Sequence, residues 1–98
     1  MAKLVNDKRV ERENWLRVKI SKAVISGSSF RGQNRITIDP ASIWETLHLL
    51  RNEAGFDMLF ELTAVDYLEY PGARDRFGVV YGLLDVNAGE RLFIKTLI

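Results

Sequence analysis

At 98 residues with a net charge of +1, the chain is a single domain of modest core, burying about 60–65% of the surface it exposes when unfolded. Its 47% hydrophobic content excludes a disordered chain, and the absence of cysteine excludes disulfides, thiolate metal sites, iron–sulfur ligation and cysteine nucleophiles. No apolar run approaches the ~20 residues that span a bilayer, the N-terminus lacks a signal-type apolar stretch, and Asp7, Glu11 and Glu13 speak against an acid-poor transit peptide, so a cytoplasmic bacterial protein is expected.

Residues 1–22 are a basic N-terminal helix or arm, in which Trp15, Leu16, Lys19 and Ile20 suit a short helix with a snorkelling lysine. Residues 1–35 carry a net +6 and residues 36–98 a net −5. Such asymmetry has two readings: an arm that meets an acidic partner, nucleic acid or an anionic surface, or an ordinary solvated face. Ala23 to Phe30 reads as a strand interrupted or bulged near Gly27. Arg31 to Asn34 reads as a turn, and Arg35-Ile36-Thr37-Ile38 as a half-buried strand, which together make a β-hairpin.

A helix follows Asp39, which can cap it, with Pro40 at the first position. Ile43, Leu47, Leu50 and Ala54 form one apolar stripe with Trp44 beside them, and Gly55 stands where a left-handed residue ends a helix. In the next run, alternation puts Met58, Phe60, Leu62 and Ala64 on one face and Leu59, Glu61, Thr63, Val65 and Tyr67 on the other. Pro71-Gly72 marks a loop over 69–75. Phe77, Val79, Tyr81 and Leu83 then share a face opposite Gly78, Val80, Gly82 and Leu84, and Asn87 to Glu90 turns the chain into a last strand from Leu92. The expected fold is α+β: a small, mostly antiparallel sheet with helices on one face, in the order α-β-β-α-β-β-β, as one domain over 1–98. The chain stops at Leu97-Ile98 within an apolar strand, so the expectation is that a continuation or a partner chain completes the fold.

The search for chemistry yields no catalytic, cofactor-binding or metal residues. His48 lies in a helix without a second histidine or a cysteine, which favours a surface or boundary position over a metal or triad role. Glu61, Asp66, Glu69, Asp75 and Asp85 are the other acid–base candidates. Glu61 and Asp66 point to opposite faces of a straight strand, Asp66 with Glu69 could flank a strand end around a hard cation at no recognised loop spacing, and Asp66 suits a turn cap. The glycines form no phosphate cradle. Gly78 and Gly82, on one strand face, fit either close approach of another chain or tolerance near a bulge. Tyr67, Tyr70, Phe77, Tyr81 and Phe93 lack the basic motif of an RNA-binding sheet and lie in the acidic part of the chain, which favours core and interface packing.

The run Leu62-Thr63-Ala64-Val65-Asp66-Tyr67, with Gly55-Phe56-Asp57 before it and Arg76-Phe77-Gly78-Val79-Val80-Tyr81 after it, resembles the C-type subunit of NADH–quinone oxidoreductase, the 30-kDa subunit family of respiratory complex I. Leu92-Phe93-Ile94-Lys95 and the helix over 40–53 are similar to the family as well, and coverage is good over 35–98 and thin before that. The chain ends before the family's Glu-Arg-Glu helix and Asp-x-x-Gly, and Gly78 and Gly82 stand where the family commonly has larger or polar residues. The resemblance implies a non-catalytic structural subunit of the peripheral arm, at the cytoplasmic side of the bacterial inner membrane. It implies packing against the quinone-site (D-type) subunit beside the quinone chamber, with FMN, iron–sulfur clusters and quinone held by other subunits. Two other functions compete with this one: a nucleic-acid or anionic-surface module using the first 35 residues, and a small metal-dependent enzyme built on Asp66, Glu69 or Asp75.

Overall fold

The computed structural model describes residues 5–66 and 77–97. Helix α1 spans Val5–Lys19, far longer than its sparse apolar residues suggest. It is held by the fully buried Leu16, with Trp15 and Ile20 packed around it. Strands β1 (Val24–Phe30) and β2 (Gln33–Ile38) form the expected hairpin. Its turn is only Arg31-Gly32, at φ +52° and +78°, so Gln33 and Asn34 belong to β2 rather than to the turn. Two successive positive φ values match the twist of the flanking strands, which is why so short a loop closes them. The bulge in β1 falls between Val24 and Ser26, not at Gly27.

Asp39 caps as expected, its Oδ1 accepting the Ala41 N–H at 3.2 Å. The first turn, Pro40–Ser42, is a 3₁₀ helix, and α2 runs Ile43–Asn52. Gly55, at φ +86°, lets the chain reverse so that the Phe56 N–H donates to the Leu50 carbonyl at 3.0 Å. Leu50 is buried, and Ile43, Leu47 and Ala54 pack against the core. Trp44 does not join them: it is 74% exposed and stacks on His48 at 5.1 Å, because one residue is a ~100° step around a helix. Thr46 fills the buried position instead.

Strands β3 (Met58–Asp66), β4 (Phe77–Asp85) and β5 (Glu90–Leu97) complete one five-stranded sheet in the order β1-β2-β5-β4-β3. Only β2–β5 is parallel. The β4–β5 turn is tied by Asp85, whose Oδ1 accepts the N–H groups of Asn87 and Ala88 at 3.0 and 3.1 Å. The core lies between the helices and one sheet face. Leu16 and Leu50 meet Ile36, Ile38, Leu83, Leu92 and Ile94 there. The fold is therefore α+β with both helices on one face, as expected.

The two-residue alternation fails in β3. A bulge between Leu59 and Glu61 shifts the register against β4. Glu61 pairs with Gly82 and Leu62 with Tyr81, so Leu59, Leu62 and Ala64 share the helix-side face, while Met58, Glu61, Thr63 and Val65 share the open face. Phe60, the extra residue, also lies on the open face, over Gly82. Simple alternation places Met58 and Phe60 with Leu62 and Ala64. One inserted residue is enough to reverse the assignment of everything before it.

Candidate interaction surfaces

Of the side chains that suggested a cation site, Asp66 alone lies among the described residues, where no three metal-capable groups gather. Asp66 is exposed at the end of β3, and Glu69, Asp75, Tyr67 and Tyr70, with the Pro71-Gly72 loop, lie outside the described residues. His48 is on the exposed side of α2, against Trp44 and with the Asn52 amide 3.0 Å from its ring nitrogen.

Much of the N-terminal positive charge is used within the molecule. Arg12 reaches Glu90 at 3.6 Å, with its guanidinium 5.4 Å from the Trp15 ring and 5.2 Å from the Phe56 ring. Lys19 reaches Glu53 at 3.1 Å and lies 5.7 Å from Trp15. Arg9 pairs with the buried Glu13 at 3.6 Å, under β1 at Gly27, where a Cβ would overlap the Glu13 carboxylate. The two halves of opposite charge thus meet across the fold, and cations stacked on aromatic rings serve as struts for α1.

Among the described residues, β3 is the least covered element. It is paired on one side only, by β4, and eight of its nine residues are exposed. Leu59 is 53% exposed and Leu62 61%, with Met58 at 47% beside them. On the helix side, Leu62 adjoins Tyr81 and Ala64 adjoins Val79, and both Leu62 and Ala64 are exposed. A groove of about 240 Å³ leads into this patch, lined by Leu47, Phe56, Leu59 and Tyr81, with Arg51 and Asp57 at its rim. A nine-residue edge without lysine or proline is what proteins ordinarily avoid in water, because its unpaired backbone groups and apolar side chains recruit another chain.

The open face of the sheet is different in kind. Phe60 and Phe93 meet edge to face at 5.7 Å and 81°. Arg35 lies 5.5 Å over Phe93, and Arg91 lies 5.7 Å over Phe60. Cross-strand register puts Arg35, Phe93, Gly82 and Glu61 in one row across four strands. Gly82 has its explanation here. A Cβ would come within 2.9 Å of Phe60 Cζ and 3.0 Å of Glu61 Cβ, so the position accommodates the bulge of the neighbouring strand. Nothing in the sequence pattern reveals this cluster, because its keystone, Phe60, reaches the face only through the bulge.

What these residues build is exposed surface: an apolar sheet edge, a shallow apolar groove and an aromatic–arginine row. Over residues 36–98 the chain matches the model of the respiratory-chain NADH dehydrogenase 30-kDa subunit, and it belongs to that family. It is 32% identical over 80 residues to the C-type subunit of NADH-quinone oxidoreductase from Citrifermentans bemidjiense and 39% identical over 80 residues to that from Trichlorobacter lovleyi. Each alignment covers 82% of this chain and 48% of the relative, so the chain spans about half the length of the relatives it matches. Its fold is similar to a trypsin-resistant fragment (1–134) of Nqo5, at a TM-score of 0.74 and 24% identity over 92% of this chain and 70% of that one. It is similar as well to a chain of a membrane-bound sulfane sulfur reductase, an archaeal respiratory membrane complex. There the TM-score is 0.70 and the identity 24%, over 93% of this chain and 50% of the other.

Proposed function

We propose that the chain is a structural piece of the peripheral arm of an NADH–quinone oxidoreductase, contributing shape and contact area and no reactive group or cofactor of its own. The observation that carries this reading is β3: a long apolar edge strand, open on one side and exposed on both faces. Such a strand is costly alone and useful when covered. Family membership supports this reading, and in it the neighbours are other hydrophilic-arm subunits, the quinone-site subunit among them, on the cytoplasmic side of the inner membrane. FMN, iron–sulfur clusters and quinone belong to those neighbours in this reading. No helix among the described residues is long and apolar enough to cross a membrane, which is compatible with a peripheral position.

The test is hydrogen exchange on the full chain, alone and co-expressed with the quinone-site subunit and the adjoining arm subunits of the same organism. Backbone amides of β3 exchange fast alone and become protected in the assembly, and self-association of the isolated chain disappears on assembly. A chain that is a monodisperse monomer by itself and whose β3 stays unprotected beside those subunits overturns the reading.

A further inference from the structure

The open face of the sheet is a second surface, opposite the helix-side groove and sharing Met58 and Phe60 with the β3 edge. We infer that it binds an acidic polypeptide segment, whose carboxylates meet Arg35 and Arg91 and whose apolar side chains cover Phe60. This inference needs only the face itself and stands whether or not the chain works within a respiratory complex.

Three observations lead to it. The first is the sign of the charge. Among the described residues, Arg35, Arg91 and Lys95 lie on this face against one acid, Glu61, although the part of the chain from 36 onward is acidic as a whole. The second is the posture of the arginines. Each guanidinium is held over an aromatic ring, at 5.5 Å for Arg35 on Phe93 and 5.7 Å for Arg91 on Phe60. A guanidinium held over a ring keeps N–H donors for a carboxylate and has less rotamer entropy left to lose, and one nitrogen of Arg35 also donates to Gln33 Oε1 at 3.5 Å. The third is the apolar centre between them. Phe60 is 38% exposed and Met58 47%, so an apolar middle flanked by arginines faces outward, which is the composition of a binding patch centre and its rim.

The same features disfavour a nucleic acid. Phe93 is only 6% exposed, with Phe60 and Arg35 already against it, and the exposed Phe60 carries Arg91 over its ring, so the face lacks the row of open rings on which successive bases stack.

The experiment measures fluorescence anisotropy of labelled probes titrated with the full chain. The probes are a decapeptide alternating Glu and Leu, the same peptide with Gln for Glu, and poly-uridylate. The Glu peptide binds, binding weakens with added salt, and the Gln peptide binds about tenfold more weakly or not at all. Arg35→Glu with Arg91→Glu weakens the Glu peptide about tenfold, whereas Lys8→Glu with Arg17→Glu, on α1, leaves it within about twofold. The milder pair Arg35→Gln with Arg91→Gln gives the same loss and guards against misfolding, each variant being checked by circular dichroism. The inference is overturned by no binding of the Glu peptide at millimolar chain. It is equally overturned by equal loss from the α1 pair, or by poly-uridylate binding more tightly than the peptide through Arg35 and Arg91.

Discussion

Replacing Gly82 with alanine tests the bulge and the aromatic row together. The new Cβ would stand 2.9 Å from Phe60 Cζ and 3.0 Å from Phe60 Cε2 and Glu61 Cβ. The ring can yield, but only by giving up its edge-to-face contact with Phe93, worth about 0.5–1.5 kcal/mol. Glu61 Cβ is fixed to the backbone of the bulge and yields less easily, so overpacking of about 1–3 kcal/mol is the relevant scale. Against this stands a gain of about 0.5–1 kcal/mol from removing glycine's freedom in a strand. The net expectation is a loss of about 1–2 kcal/mol, or roughly 4–16 °C in Tm for a domain of this size. Urea unfolding followed by circular dichroism measures it, at protein concentrations low enough to suppress association. The cycle with Phe60→Leu is the sharper readout. Removing the ring relieves two of the three close contacts, so the double variant is more stable than additivity predicts by about 0.5–1.5 kcal/mol. A neutral or stabilising Gly82→Ala, or strict additivity with Phe60→Leu, would refute the close packing of bulge on glycine.

Leu16→Ala removes the one fully buried anchor of α1, and a loss of about 2–5 kcal/mol in urea unfolding is expected. Arg12→Ala removes the strut between Trp15, Phe56 and Glu90 and costs about 1–2 kcal/mol by the same assay, much of it surviving at high salt because ring contact and packing contribute beside the ion pair. By contrast, Lys19→Ala at the exposed pair with Glu53 costs no more than about 1 kcal/mol, and added salt diminishes the effect. Leu62→Lys, on the open edge, leaves stability within about 0.5 kcal/mol while reducing self-association in sedimentation velocity.

How legible each element is in the sequence follows from where its information resides. Asp39, Pro40 and Gly55 act through their own backbone neighbourhood, so the start and end of the second helix can be read locally. The faces of β4 can be read because that strand alternates without interruption against both neighbours. α1 can be seen only in part: Leu16, with Trp15 and Ile20, anchors it, while Arg12 and Lys19 add contacts to Phe56, Glu90 and Glu53, distant in sequence. Alternation misassigns β3 before the bulge, since an inserted residue leaves no mark on composition, although Gly82 opposite it is a clue to close approach. The aromatic–arginine row depends on both the bulge and the strand order, and strand order is fixed by non-local pairing that alternation cannot report.

Strand order also bears on how the molecule assembles. β5 lies between β2 and β4, yet it is the last of the five to be synthesised. Until it arrives, the first hairpin and the second have no shared strand, and each displays a side that later becomes interior to the sheet. A ribosome-bound chain therefore passes through a stage with two separate ribbons and a central gap, joined in a single late insertion. Pairings of this kind are non-local and slow to form, and the open ribbon edges that precede them are what a chaperone shields.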